Sequence, residues 1–216
     1  MLSLLPSPAQ FISYVFVLLV AFTVHEFSHA WTANYFGDDT PRLNGRLTLN
    51  PLRHLDPIGS VLLLVAGFGW AKPVPVNPYA LQRRSASAYM WVSIAGPFSN
   101  LMMAIIAAIP FRLGLVSIMD ASQTVDLFGK PILPSLSMLL YIFIYTNLLL
   151  MLFNLIPVAP LDGEKVAEYF MPPSMTRVFD AIRPYGPLIL LLIVFSGRLN
   201  YIIGPPLSYL TMLLVG

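Results

Sequence analysis

His25, Glu26 and His29 stand in the order His-Glu-Phe-Ser-His inside an apolar stretch that runs from about Phe11 to Phe36. On a helix, residues four apart share a face, so His25 and His29 can offer two imidazoles to one metal ion. Glu26 lies one residue round from His25, within reach of a water that such an ion activates. The competing explanations are a pair of buried histidines held by hydrogen bonds and a carboxylate that pairs with a helix neighbour. With only three His and three Glu in 216 residues, chance rarely produces this spacing. Ionisable groups in a membrane span are also costly and mark function. A zinc hydrolase site at membrane depth points to peptide bonds cut at that depth.

Two histidines leave catalytic zinc one protein ligand short, with a fourth position kept for water. Residues 154–163 read Asn-Leu-Ile-Pro-Val-Ala-Pro-Leu-Asp-Gly at the end of another apolar stretch. Pro157 and Pro160 break a helix there, and Gly163 frees the backbone after Asp162. Asp162 is a candidate third ligand, although Asp-Gly after a proline is also ordinary turn chemistry. Asn154 either caps the broken helix or donates its amide to a scissile carbonyl oxygen as charge develops on it.

The elements that must position these groups are membrane spans. Hydrophobic residues make up 57% of the chain and charged residues 10%, with a mean hydropathy of +0.75, whereas soluble domains carry about 25% charged residues. The expected fold is an all-α polytopic membrane protein, a single integral membrane domain over 1–216 with its core at about 9–165 and a membrane tail at about 184–216. The absence of Cys excludes a thiolate site, and a net charge of +2 excludes nucleic acid as a partner. Met1-Leu2-Ser3-Leu4-Leu5 lacks the basic start of a cleaved signal peptide and is read as retained.

The stretches 11–36, 88–111 and 136–157 each reach the roughly 20 residues needed to span a bilayer. Ile58 to Trp70 has 13 and is too short. Residues 162–183 read as a polar surface segment. The tail from Pro184 to Gly216 is broken at Ser196-Gly197-Arg198 and at Gly204-Pro205-Pro206, so it crosses once with a bend or twice. If 58–70 enters and returns on one side, Arg42, Arg46, Arg53, Lys72, Arg83, Arg84, Lys165, Arg177 and Arg183 share the inner face. Arg112, Lys130 and Arg198 then lie outside, a nine-to-three split that follows the positive-inside rule. The same topology brings Asp162 to the side of the membrane where His29 lies.

Prolines 73, 75 and 78 forbid a helix over 67–78 and suit an edge strand or extended hairpin. Two readings of this segment stand together. One is a strand that pairs with unwound substrate, which makes Gly69, Trp70 and Val74 substrate contacts. The other is a surface loop with a Trp anchor at the interface. Gly96 and Asn100, four apart in the third stretch, either face the site, where Asn100 contacts substrate, or mark close helix packing. His54 and Asp56 either fix a polar loop or support the site from behind.

Taken together, His25-Glu26-Phe27-Ser28-His29 and Asn154-x-x-Pro157-x-x-Pro160-x-Asp162-Gly163 resemble the paired metal motifs of the site-2 protease family of intramembrane zinc metalloproteases. Gly96-Pro97-Phe98-Ser99-Asn100 is similar to that family's Gly-x-x-x-Asn element. Residues 45–57 and 69–78 resemble segments of its compact prokaryotic members. The resemblance covers roughly residues 20 to 165. It implies a three-helix core holding one zinc ion per chain on His25, His29 and Asp162, with Glu26 as general base and acid and Asn154 beside the oxyanion. It also implies transmembrane protein substrates in a lipid bilayer of a prokaryotic plasma membrane, and the charge split puts the site nearer the cytoplasmic side. PDZ or CBS modules found in some relatives have no room here. The alternatives are an inactive scaffold that binds membrane helices, and a divalent-metal carrier.

Overall fold

The structure, a computed structural model, describes residues 7–66, 69–122, 124–127 and 130–216. The Met1–Leu5 start, and Gly67 and Phe68 of the 67–78 segment, lie outside the described residues. The helices are α1 (Pro8–Tyr35), α2 (Thr40–Leu43), α3 (Pro57–Ala66), α4 (Pro78–Arg84), α5 (Ala88–Arg112), α6 (Leu136–Asn154), α7 (Asp162–Phe170), α8 (Pro173–Ile182), α9 (Gly186–Phe195) and α10 (Leu199–Val215). A hairpin of β1 (Thr124–Leu127) and β2 (Lys130–Pro134), paired antiparallel, joins α5 to α6. Four helical stretches among the described residues are long and apolar enough to cross a membrane: Pro8–Tyr35, Ala88–Arg112, Leu136–Asn154 and Ser174–Phe195. The chain is an all-α polytopic membrane protein.

α1 starts from a reciprocal cap. The Ser7 side chain accepts from Gln10 N–H, the Gln10 side chain accepts from Ser7 N–H, and Pro8 fills the first helical position. Ala9, Ser13, Val17, Ala21, His25, His29 and Ala33, each four residues after the last, are all buried. α5 answers with Ala88, Val92, Gly96, Asn100, Ala104 and Ala108, also spaced by four and buried. Stripes of small residues let two backbones approach closely where lipid offers no hydrophobic drive to associate. The two histidines sit within the α1 stripe, so packing α1 on α5 turns both imidazoles into the helix interface. α6 completes the core, packing on both α1 and α5.

α3 has ten residues, about 15 Å of helix against a hydrocarbon layer of about 30 Å. Its flanks meet: Leu55 and Ala71 form an antiparallel bridge, and Lys72 N–H donates to the His54 carbonyl over 2.7 Å. A segment whose two ends are hydrogen-bonded to each other has to enter and return on one side. The turn is close enough that a Cβ on Gly59 would lie 2.2 Å from the Trp70 carbonyl oxygen.

The C-terminal third departs from expectation. Residues 162–183 are not wholly a surface segment, because α8 continues through a 3-10 turn at Arg183–Tyr185 into α9. The chain then turns at Gly197, whose φ of +71° favours a residue without Cβ. The expected break at Gly204-Pro205-Pro206 is absent, since α10 runs through both prolines. Ile203, Leu207 and Thr211, again four apart and buried, hold that helix together where the prolines withdraw two backbone donors. α10 packs on α6 and α5, and the Arg112 guanidinium closes the arrangement by donating to the carbonyls of Leu213, Leu214 and Gly216.

Candidate active site

His25 and His29 come from α1, and Asp162 is the first residue of α7. His25 Nε2 lies 3.2 Å and His29 Nε2 3.3 Å from Asp162 Oδ2, and the two Nε2 atoms are 3.0 Å apart. Among the described residues this is the one group of three such side chains whose ligand atoms converge within 4.8 Å. Asp162 reaches the histidines because α6 stops at Asn154 and the proline-rich turn folds α7 back against α5. Gly163 permits this: a Cβ there would lie 2.3 Å from the Leu155 carbonyl oxygen. Behind Asp162, Glu164 bonds Arg183 and Lys165, and Glu168 bonds the same two cations. Burial works to raise the Glu168 pKa, and its bonds with Arg183 and the charge of Lys165 outweigh this and hold it below the usual carboxylate range.

The geometry suits zinc. Tetrahedral zinc bound to nitrogen and oxygen at about 2.0–2.1 Å sets its ligand atoms about 3.3 Å apart. His29 Nδ1 donates to the Val92 carbonyl at 2.7 Å, and a carbonyl can only accept, so Nε2 of the neutral ring carries a lone pair. His25 Nδ1 faces Asn100 Oδ1 at 2.6 Å, also an acceptor. Asp162 Oδ2 is buried and takes no hydrogen bond. Two lone pairs and a carboxylate oxygen pointed at one place repel each other unless a cation lies between them. Room for it comes from Gly96, where a Cβ would stand 2.4 Å from His29 Nε2 and 2.6 Å from His25 Nε2.

Glu26 is buried beside the pair, and its Oε2 accepts from Val74 N–H at 3.1 Å. The strand-like segment named from the prolines thus runs past the carboxylate. Its course is fixed at both ends. Asp38, 1% exposed, accepts from Asn77 N–H at 2.6 Å. The buried Arg46 guanidinium donates to the carbonyls of Arg53, Lys72 and Pro73. Burial draws the Arg46 pKa below its usual value, and the charge of Glu26 pulls it back. Arg46→Ala leaves three carbonyls without their donor and frees the segment beside Glu26. Cleavage is expected to fall about 10- to 100-fold, the scale of a 1 Å misplacement, with zinc content unchanged in metal analysis.

The remaining candidates fall into place unevenly. Asn100, expected to contact substrate, is fully buried; its Oδ1 accepts from His25 Nδ1 and its Nδ2 donates to Asn147 Oδ1 instead. Asn154 donates to the Leu150 carbonyl at 2.9 Å, which leaves its second amide hydrogen available. His54 is buried and bonds the Thr48 carbonyl through Nε2 at 2.7 Å, and Asp56 accepts from Gly59 N–H at the start of α3 at 2.8 Å. Both therefore fix the loop that leads into the re-entrant helix. Trp70 is 43% exposed, and Gly69 and Trp70 lead into the Ala71 bridge. Sequence reasoning passed over Arg46, Asp38 and Asn147. A polar side chain midway along an apolar span was the available signal for Asn147.

Comparison with known proteins agrees with a zinc protease. The family model described as Peptidase family M50 matches residues 13–194. Relatives named "putative zinc metalloprotease" include YwhC and Rip2. YwhC of Bacillus subtilis (strain 168) is 40% identical over 198 residues, 90% of this chain and 85% of that protein. Rip2 of Mycolicibacterium smegmatis is 32% identical over 198 residues, 86% of this chain and 70% of its own length. No solved structure matches the chain. The chain belongs to peptidase family M50 and is a membrane-embedded zinc metalloprotease.

Proposed function

We propose that the protein hydrolyses peptide bonds within or near transmembrane segments of other membrane proteins, as one peptidase domain acting in regulated intramembrane proteolysis. The observation that carries this reading is the convergence of two lone pairs and a carboxylate between helices long enough to span a bilayer. In this reading His25, His29 and Asp162 hold the zinc. Zinc in that position supplies Lewis acidity, which acidifies water and polarises a carbonyl. Glu26 takes the proton of the attacking water and returns it to the leaving nitrogen. The Asn154 amide donates to the oxyanion.

A helical substrate hides its carbonyls in i→i−4 bonds and has to unwind before attack. The 72–77 segment offers a template for the unwound form. In extended backbone, alternate residues present N–H and C=O to the same edge, so Val74 and Val76 share the edge that meets Glu26. Pro73 and Pro75 deprive the opposite edge of donors. An added substrate strand would therefore lie on the Glu26 side. With Arg177 and Arg183 inside the apolar stretch Ser174–Phe195, the seven remaining inner charges against three outer ones support a plasma-membrane orientation with this site toward the cytoplasm.

The test is metal analysis of purified wild type and Asp162→Ala, paired with cleavage of a tagged single-span protein in reconstituted vesicles. Wild type is expected to carry one zinc per chain and to cut within or beside the span, while the variant loses both properties. Equal zinc in the two proteins would remove Asp162 from the ligand set. A zinc-loaded wild type that cuts only soluble peptides would remove the membrane substrate.

A further inference from the structure

Four groups form a line of hydrogen bonds through the dry centre of the three-helix core. Asn147 on α6 and Asn100 on α5 are both 0% exposed. Asn147 Nδ2 donates to the Phe143 carbonyl at 2.9 Å. Asn100 Nδ2 donates to Asn147 Oδ1 at 2.8 Å. His25 Nδ1 lies 2.6 Å from Asn100 Oδ1. An amide can in principle flip, exchanging its donor and acceptor ends, and an imidazole can move its proton between nitrogens. A backbone carbonyl can do neither. The line therefore has one polarity, set at Phe143. Asn147 turns its NH2 to that carbonyl and its oxygen to Asn100, Asn100 turns its oxygen to His25, and His25 keeps its proton on Nδ1.

We propose that Asn147 is a positioning residue for the metal centre: through Asn100 it fixes which nitrogen of His25 carries the proton and keeps Nε2 free for the ion. The proposal rests on His25 being a zinc ligand and adds a residue from the third core helix, which contributes none of the three converging side chains. Without Asn147, the Asn100 NH2 group has no acceptor. Reversing the amide would aim NH2 at His25, move the imidazole proton to Nε2 and occupy the position the ion needs. His29 has no such dependence, because its Nδ1 is anchored directly on the Val92 carbonyl. One ligand is thus oriented by backbone and the other by a two-amide relay that only the assembled three-helix core provides.

Asn147→Leu, which is close in size but cannot hydrogen-bond, tests the relay. Zinc affinity is read by competition with a chelator, and the histidine tautomers by nitrogen-15 NMR of the zinc-free protein in micelles. The expected result is zinc bound about 10- to 100-fold more weakly, the range for losing a partner behind a ligand. His25 should shift toward the Nε2–H tautomer while His29 stays as it was. Asn147→Asp is the rescue variant, because a buried neutral carboxylic acid donates to Phe143 and accepts from Asn100 as the amide does. It should restore both readouts. The idea is overturned if Asn147→Leu binds zinc within about twofold of wild type or leaves the His25 tautomer unchanged. It is overturned equally if His25 and His29 are disturbed alike, since Asn147 would then be holding the helix interface rather than the ring. Loss of cleavage by a zinc-loaded wild type would strike the proteolytic reading and leave these readouts standing.

Discussion

Glu26→Gln is expected to abolish cleavage of a membrane-spanning substrate while zinc remains bound. The two functions separate because Glu26 is not among the three side chains that converge on the ion. Gln matches Glu in length, and its carbonyl oxygen can still accept from Val74 N–H, the bond that ties this position to the extended segment. The substitution therefore removes the ability to take a proton and little else. General base catalysis by a placed side chain contributes about 10²- to 10⁴-fold, and here the same carboxylate serves twice, once for the water and once for the leaving nitrogen. A loss at the upper end of that range, with unchanged metal content, is the expected outcome in reconstituted vesicles. Substantial remaining cleavage would refute the assignment of Glu26 as the base and direct attention to another proton acceptor.

The contrast between Glu26 and Arg46 shows what sequence can and cannot reveal. The spacing of His25, Glu26 and His29 encodes its own geometry, because any helix places residues four apart on one face. Asp162 was legible for a different reason: the prolines and Gly163 around it permit the fold-back that the structure displays. The re-entrant course of residues 58–70 followed from length and charge asymmetry, and the Leu55–Ala71 bridge bears it out. Arg46 gave no such sign. It entered the reading as one positive charge among nine, although its guanidinium is buried against three carbonyls. A hydrogen bond between a loop side chain and backbone 26 residues away has no period and leaves no pattern in the sequence. Asn100 was misplaced for a related reason. Its spacing from Gly96 set its face correctly, but whether that face meets substrate or a ligand imidazole depends on α1 lying against it. In the tail, Ser196-Gly197-Arg198 does separate α9 from α10 as expected, whereas burial of Ile203, Leu207 and Thr211 carries α10 through the two prolines.

Gly96→Ala is expected to eliminate zinc binding although it adds a single methyl group. That methyl would stand 2.4 Å from His29 Nε2 and 2.6 Å from His25 Nε2, distances that no packed side chain tolerates. Rings often swing away from such a clash, but these two cannot. His29 is anchored to the Val92 carbonyl and His25 to the Asn100 side chain, so both are tethered to the same helix that would carry the new methyl. Relief then requires α1 to draw back from α5, against the close approach of their small-residue stripes. Zinc affinity should fall by at least about 100-fold, beyond the loss seen when only a partner behind a ligand is removed. The zinc-free protein should also lose some stability against heat, because drawing α1 back from α5 outweighs the roughly 1 kcal/mol by which alanine is favoured over glycine inside a helix. A variant that still unfolds in one cooperative transition but takes up no metal would separate this effect from misfolding. A variant that binds zinc normally would show that the space beside Gly96 is not where the ion sits, and the centre would have to be drawn elsewhere around Asp162.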